Sequence, residues 1–371
     1  MKIFTPVFPT YPIRRNPIPY PKYPIPVLVL ACNRIGVKRS LDAIIKYRPS
    51  STLFPLIVSQ DCDDEPTKKI ILSYEGVVYL KQPNQTEYNL PAKKKKLQGY
   101  FRLSRHYKWA LNQVFIKFNY NSCIIVEDDL EISPDFFEYL IATKPLLEKD
   151  PTLYCVSAWN DNGVKAATNV KRYDLILRTD FFPGLGWLML KPLWLELEPK
   201  WPEAFWDDWL RSPEIRMGRS CLRPEVSRVF NFGEQGVSRG LHYKTHLVHI
   251  VKNEKFVNFR RYDLKSLMFD SFSESLLRTA YSSALTTSDK LEGDISKKPN
   301  IKSFRIKYTN KDNFKTLAKK LSIMADTLVC IHLSVRFFYL PACFFISLSV
   351  EFSVCLSYFA LFVFLFVFLF V

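Results

Sequence analysis

The sequence predicts an α/β fold built on a largely parallel sheet, and three observations support that reading. The apolar runs at residues 26–32, 54–58 and 123–126 are continuous rather than alternating, as strands covered on both faces require. Stretches of helical period separate these runs. Polar or acidic residues stand where each run ends, at Asn33-Arg34, Asp61 and Glu127-Asp128-Asp129. Together they describe a doubly wound domain whose chemistry sits at the strand ends.

Taken in order, residues 26–32 form the first strand, and a helix follows with Val37, Leu41, Ile44 and Ile45 on one face. A second strand over 54–61 ends on Asp61, followed by a helix over 67–74 and a short strand over 77–80. Lys93-Lys94-Lys95-Lys96 is a solvated loop. Residues 100–118 have helical period through Phe101, His106, Trp109 and Ala110 and lead through Asn119-Tyr120-Asn121 into the strand at 123–126. Ser133-Pro134-Asp135 starts the next helix.

The chain has 371 residues, 52 Lys+Arg and 36 Asp+Glu, a net charge of +16 that leaves phosphorylated or other anionic ligands open. Residues 331–371 hold only Arg336 and Glu351 as charged groups, so the excess belongs to the rest of the chain. No interleaved basic and aromatic recognition module is present, which argues against a nucleic-acid partner. None of the 8 cysteines forms a C-x-x-C pair, so a zinc site is not expected. Cys32 with Cys62 and Cys155 with Cys221 are possible disulfides, and buried thiols are equally compatible with their spacing. Asn84-Gln85-Thr86 fits an N-glycosylation acceptor.

The two ends contrast. Residues 1–25 are proline-rich without an apolar core, which predicts an extended stem rather than a signal peptide or anchor. Residues 352–371 are uncharged and almost entirely apolar, and at 1.5 Å per residue a helix there spans roughly 30 Å, one bilayer core. Residues 328–371 are therefore expected to be a membrane segment or the low-complexity product of a misassembled gene end.

Glu127-Asp128-Asp129 is the most informative point. Three adjacent carboxylates at the end of a buried strand repel one another unless a cation joins them. Their oxygens suit a hard divalent ion such as Mg²⁺ or Mn²⁺, which keeps waters and accepts phosphate oxygens. No glycine-rich phosphate loop is present, so such an ion has to neutralise most of a diphosphate's charge. The competing structural reading makes the run an acidic cap for the helix that follows. SAWNDNG (157–163), FFPGLGW (181–187) and FWDDW (205–209) add aromatic faces beside carboxylates and amides, the combination a sugar site requires.

With these residues in view, the chain resembles the N-acetylglucosaminyltransferase I family (glycosyltransferase family 13), the alpha-1,3-mannosyl-glycoprotein 2-beta-N-acetylglucosaminyltransferases. The likeness runs from Pro26 to Thr327 through VLACNR, FPLIVSQDC, QGYFRLSRHYKWAL, VEDDLEISPDFFEY, SAWNDNG, RTDFFPGLGW, PKWPEAFWDDW, RPEVSR and GVSRG. It implies a GT-A (Rossmann-like) nucleotide-sugar glycosyltransferase domain over 26–258 and a smaller C-terminal domain over 259–327. The implied reaction is inverting, Mn²⁺-dependent transfer of GlcNAc from UDP-GlcNAc to O2 of the α1,3-linked mannose of a mannose-terminated N-glycan. The implied setting is the lumenal side of a Golgi membrane.

Position by position, the resemblance implies that Arg34, Asp61 and His106 bind uridine. Asp129 would ligate Mn²⁺, Asp128 would face the ribose and Glu127 the GlcNAc. Asp207 would be the catalytic base, with Asp208 its rival, and Val237-Ser238 would belong to a loop closing over the diphosphate. The family pairing also implies the disulfides Cys32–Cys62 and Cys155–Cys221. Two departures stand out: Glu234-Gln235 where a basic loop is expected, and the hydrophobic tail after Thr327. A protein O-mannose β1,2-N-acetylglucosaminyltransferase, or a non-catalytic membrane-held glycan-binding relative, are the competing functions.

Overall fold

A computed structural model describes residues 10–165, 167–234, 236–237, 240, 243–282, 284–287, 303–308, 310–320, 345–351 and 364–365. Its centre is a mixed sheet of eight strands. In chain order these are β1 (Val27–Ala31), β2 (Leu56–Gln60), β3 (Val77–Lys81), β4 (Ser122–Glu127), β6 (Leu153–Ser157), β7 (Ile176–Thr179), β8 (Trp187–Leu190) and β9 (Ser220–Pro224). The short pair β5 (Leu130–Ile132) and β10 (Val229–Asn231) forms a separate antiparallel ribbon.

The spatial order is β3-β2-β1-β4-β8-β6-β9-β7. Strands β3, β2, β1 and β4 run parallel, while β8 opposes both β4 and β6, and β7 opposes β9. The continuous apolar runs explain the parallel half, because every residue of β1 and β2 is buried under helices on both faces. On one face α1 (Val37–Tyr47) buries Val37, Leu41 and Ile44. On the other, α3 (Gln98–Asn112) buries Tyr107, Ala110 and Leu111 against Leu28, Leu30 and Ile125. The α/β expectation holds, with helix α2 (Glu65–Leu72) two residues earlier than its sequence pattern suggests. The lysine run is an exposed 3₁₀ segment, Ala92–Leu97, rather than an irregular loop.

The second half is anchored differently. Helix α4 (Phe136–Lys149) is buried along most of its length. At its start the wholly buried pair Arg228–Asp135 (3.1 Å) is completed by Asn253, which donates to Asp135 at 3.0 Å. A buried pair of this kind is costly to break from one side, because the remaining charge has no water to turn to. Gly186 opens β8 at φ 67°, and a Cβ there would lie 2.7 Å from Val229, so this turn needs glycine to bring β8 against the ribbon.

Both disulfides are present. Cys32–Cys62 ties the chain just beyond β1 to the chain just beyond β2, and Cys155–Cys221 joins register partners on β6 and β9. Cys123 is a buried thiol. The described part of the proline-rich segment is extended but docked: Arg14 and Ile18 donate backbone hydrogen bonds to Arg261 and Arg260, and the Tyr11 hydroxyl donates to Ile176 at 2.8 Å. Beyond α8 (Phe269–Ser282), a smaller sheet contains β11 (Ala284–Thr287), β12 (Ser303–Tyr308), β13 (Phe345–Glu351) and β14 (Phe364–Leu365), accompanied by α9 (Lys311–Lys320). Most of residues 328–371 lie outside the described residues. Among those described, no helix is long and apolar enough to cross a membrane.

Candidate functional site

β1 and β4 are neighbours, yet the chain winds outward from β1 through β2 and β3 before it crosses back to β4. Their carboxyl ends therefore frame the crevice where strand order reverses, the place where open α/β sheets bind ligands. Glu127 is the last residue of β4, and Asp128 and Asp129 follow in the turn to β5. Because β5 intervenes before α4, the acidic run is not that helix's cap, and the competing structural reading fails.

Each carboxylate is held by a different partner. Glu127 Oε1 accepts from the Tyr107 hydroxyl at 2.6 Å, and Asp128 Oδ2 accepts from the Cys32 backbone N–H at 3.2 Å. Asp129 Oδ1 accepts from the Asn231 amide at 3.3 Å, and its Oδ2 pairs with Arg34. The Arg34 guanidinium also lies 3.6 Å from Asp128. Burial, aggravated by Asp129, pushes the Glu127 carboxyl up to about 8, although Tyr107 opposes the shift. Burial and Asp129 likewise push Asp128 up to about 7, against the pull of Arg34. For Arg34 the loss of solvation is outweighed by the neighbouring carboxylates, and its pKa rises. One guanidinium thus faces three carboxylates, and the deficit of positive charge is what an added cation would repair.

The donor set fits a hard divalent ion, all oxygen and partly charged. Gly233 keeps the space beside it clear, since a Cβ there would come within 2.0 Å of Asp129 Oδ2 and 2.6 Å of Arg34. Among the described residues no three His, Cys, Asp or Glu side chains converge as a ready-made metal cage. An ion held here would depend on Asp129, water and ligand oxygens.

Asp61 and His106 gather at the end of β2. Asp61 is buried, its pKa raised by burial against the opposing charges of Arg102 and Arg105, and it accepts from Gln85 at 3.4 Å. His106 Nε2 shares a 2.7 Å hydrogen bond with Ser59, two residues earlier on the same strand. Burial, aided by Lys81 and Arg105, depresses His106 to about 3, so the ring is neutral at physiological pH. Arg34 reaches the carboxylates from the turn after β1. Beside it a depression of about 600 Å³ opens between Asn33 and residues 62–66.

Asp207 lies across from the acidic run. It is the second residue of α6 (Trp206–Arg211), a turn and a half fixed by Trp206. That indole is buried against Tyr107 at 4.1 Å between ring centres, with Phe182, Trp187 and Trp201 around it. Asp207 is close enough to raise the pKa of both Tyr107 and Glu127. Arg211, one helical turn on, holds Asp207 Oδ2 and Asp208 Oδ1 at 2.9 Å each and donates to the Phe182 carbonyl at 3.1 Å. Before the helix, Phe205 has φ 53°, a left-handed conformation costing a bulky residue about 1–3 kcal/mol.

The described part of the loop after β10 lies against the start of α3 and against Arg34. Val237 approaches Gly99 at the start of α3, where a Cβ would meet it at 2.9 Å, while Gly236 lies beside Arg34. Ser238 lies outside the described residues. Glu234 is paired with Lys244 at 3.4 Å, so its charge is compensated within the loop.

Sequence reasoning missed Tyr107, Asn231 and Arg211, and took Asp161 only as part of the SAWNDNG segment. Arg211 was accessible, since it stands at the i+4 helical spacing from Asp207. Tyr107 was hidden as one more aromatic beside His106. Asp161, in the SAWNDNG segment, is pushed up to about 6 by burial, with Arg211 and Arg223 opposing.

Comparison with known proteins follows the same lines. The model of the GNT-I family matches residues 7–331. Over 310 residues the chain is 38% identical to an Arabidopsis thaliana protein named alpha-1,3-mannosyl-glycoprotein 2-beta-N-acetylglucosaminyltransferase, which covers 81% of this chain and 67% of that protein. Among solved structures, the mannosyltransferase PcManGT from Pyrobaculum calidifontis, in complex with GDP-Man and Mn²⁺, is 16% identical with a TM-score of 0.33, covering 50% of this chain and 49% of that one. S. aureus TarS is 11% identical with a TM-score of 0.37, covering 57% and 61%.

Proposed function

Because the chain belongs to the GNT-I family, we propose that it transfers GlcNAc from UDP-GlcNAc, with inversion, to O2 of the α1,3-linked mannose of a mannose-terminated N-glycan, and does so with Mn²⁺. The fold is the Rossmann-like α/β type on which GT-A glycosyltransferases are built. The observation that supports the reading most directly is the opposition of two acidic groups: a buried, charge-deficient run at the strand-order reversal and Asp207 facing it across Tyr107.

Roles follow from this arrangement. Asp129 would hold the ion, with Asp128 turned to the ribose and Glu127, fixed by Tyr107, to the GlcNAc hydroxyls. When bound, Mn²⁺ offsets the charge that develops on the departing UDP. Asp61 and His106 would take the uracil edge at the end of β2, and Arg34, paired with Asp129, would complete the uridine-binding set. Asp207 takes the proton from mannose O2 as that oxygen bonds to C1 of GlcNAc and the bond from C1 to the diphosphate oxygen breaks. Arg211 holds Oδ2 of the base. Val237 and the rest of its loop would cover the diphosphate and keep out water that would otherwise hydrolyse the donor.

Two disulfides support an oxidising compartment, and the reading includes the lumenal side of a Golgi membrane, to be checked by protease protection of the tagged protein in sealed vesicles. For the activity, UDP release should require both Mn²⁺ and a mannose-terminated glycan and vanish in Asp207→Ala. Full turnover in that variant would remove Asp207 as the base, and release without glycan would remove the acceptor assignment.

A further inference from the structure

Phe205 is the anomaly of the site. Its neighbour Trp206 already anchors α6, buried among four aromatic rings. Phe205 instead keeps 36% of its surface exposed and holds a left-handed backbone, φ 53°, that glycine or asparagine would adopt with less strain. An apolar ring half in water on a strained residue is doubly unfavourable for folding alone, and such strain concentrates at functional positions.

The surroundings narrow the role. Phe205 stacks on Tyr100, ring centres 4.6 Å apart and planes 28° from parallel. Tyr100 stands near the start of α3, next to Gly99 and therefore next to Val237 of the closing loop. Phe205 itself is two residues from Asp207 and passes directly into the helix that carries it, its carbonyl accepting from Trp209 N–H at 3.0 Å. An exposed aromatic ring backed by Tyr100 thus adjoins the helix that carries the base, and the backing residue adjoins the glycine that Val237 approaches.

We propose that Phe205, supported by Tyr100, is the platform on which the C–H face of the acceptor mannose stacks, making it a specificity-determining residue of the acceptor subsite. This rests on the functional reading above, in which Asp207 receives the mannose proton. Aromatic rings bind pyranoses through their C–H faces while neighbouring polar groups take the hydroxyls. A sugar ring in van der Waals contact lies roughly 4 Å from the phenyl plane. A mannose stacked there would lie beside the first turn of the helix that carries Asp207, whose Oδ2 is held by Arg211 and whose Oδ1 would take the hydroxyl proton.

The test uses the full chain carrying Asp207→Asn, so that binding is measured without turnover. A mannose-terminated N-glycan is titrated by calorimetry in the presence of Mn²⁺ and UDP, and UDP-GlcNAc is titrated separately. Adding Phe205→Ala should weaken glycan binding about 10-fold, the size expected for one aromatic stacking contact. UDP-GlcNAc binding should stay within about 2-fold, as expected for a contact confined to the acceptor. Phe205→Gly, which removes ring and strain together, should match the alanine variant, and Phe205→Tyr should keep glycan affinity. Unchanged glycan affinity with a lowered melting temperature would overturn the proposal and leave Phe205 as packing, as would equal losses for glycan and donor. Absence of glycan binding in the Asp207→Asn parent would overturn the functional reading and this proposal with it, a result distinct from any change confined to Phe205.

Discussion

The molecule carries two acidic runs, Glu127-Asp128-Asp129 and Asp207-Asp208, that look alike in sequence and differ in their surroundings. The first ends a buried strand, and its Asp128 and Asp129 are each less than a tenth exposed. The second sits on a surface helix, its side chains 42% and 46% exposed, with Arg211 shared between them. Burial leaves the first run short of positive charge and drives Glu127 and Asp128 toward their protonated forms. The second, clamped by one guanidinium, keeps a single net negative charge that water screens, and an oxygen free to meet a substrate. On the proposed roles, the same residue type would serve as a metal ligand or as a base according to solvent access and counter-charge.

The contrast is broken most sharply within the second run. Asp207→Asn is expected to lower kcat by about 10³-fold, the scale of a lost general base. Asp208→Asn should cost less than about 10-fold, because it removes only a second partner of Arg211. Equal losses would mean that the two are not divided into base and bystander, and steady-state UDP release with saturating glycan decides it.

Next comes the cation. Mn²⁺ should stabilise the wild type against heat, by about 2.7 kcal/mol when free metal is 100-fold above its dissociation constant. Asp129→Ala should abolish that shift along with turnover, whereas Asp207→Asn should keep it. A metal-dependent melting shift that survives Asp129→Ala would remove Asp129 as the ligand. Chelation of the wild type should likewise remove the metal-dependent shift.

A smaller effect tests the charge deficit without metal. The Glu127 carboxyl is raised on folding, to about 8 from an ordinary 4.5, so the folded state binds the extra proton. Its stability contribution is intact below about pH 4.5 and is lost as pH rises through about 8. Glu127→Gln keeps an acceptor for Tyr107 and has no charge to bury. Its metal-free melting temperature relative to wild type should climb between pH 5 and pH 8, by on the order of a few degrees. Comparison at each pH cancels other titrating groups, including His106, whose depressed pKa makes stability fall as pH drops through 6.5 toward 3. A difference that stays flat with pH would show that Glu127 is already neutralised by its neighbours.

How much of this could be read from the chain depends on whether a feature is local. The parallel half was legible because Val27–Ala31 and Leu56–Gln60 are apolar without interruption, a signature that survives in one dimension. The acidic run was legible for the same reason. Less accessible were contacts made by the fold: Asn231 reaches Asp129 across 102 positions and Tyr107 reaches Glu127 across 20. The mixed half, where β8 inserts between β4 and β6 in antiparallel sense, follows from no local pattern. Nor does the left-handed Phe205, since nothing in Ala204-Phe205-Trp206 announces a positive φ.

Arg211 gives the finest test of the comparison. Its guanidinium donates to both carboxylates of the second run from the turn below, the i+4 and i+3 arrangement that a helix imposes. Its side chain is only 16% exposed and lies over the Phe181 ring at 4.7 Å, so the fork is fixed before any substrate arrives. Both carboxylates bind one nitrogen, Nη1, while Nε donates to the Phe182 carbonyl at 3.1 Å, so lysine preserves the charge but loses the second anchor that fixes the donor in place. Arg211→Lys is therefore expected to lower kcat about fivefold by loosening Asp207, with little change in the KM for UDP-GlcNAc, because the first run is untouched. Arg211→Met, which removes the charge as well, should fall further and regain part of the loss when guanidinium is added at low millimolar concentration. If Arg211→Lys instead raised the donor KM as much as it lowered kcat, the two acidic runs would be one coupled network rather than two independently tuned sites.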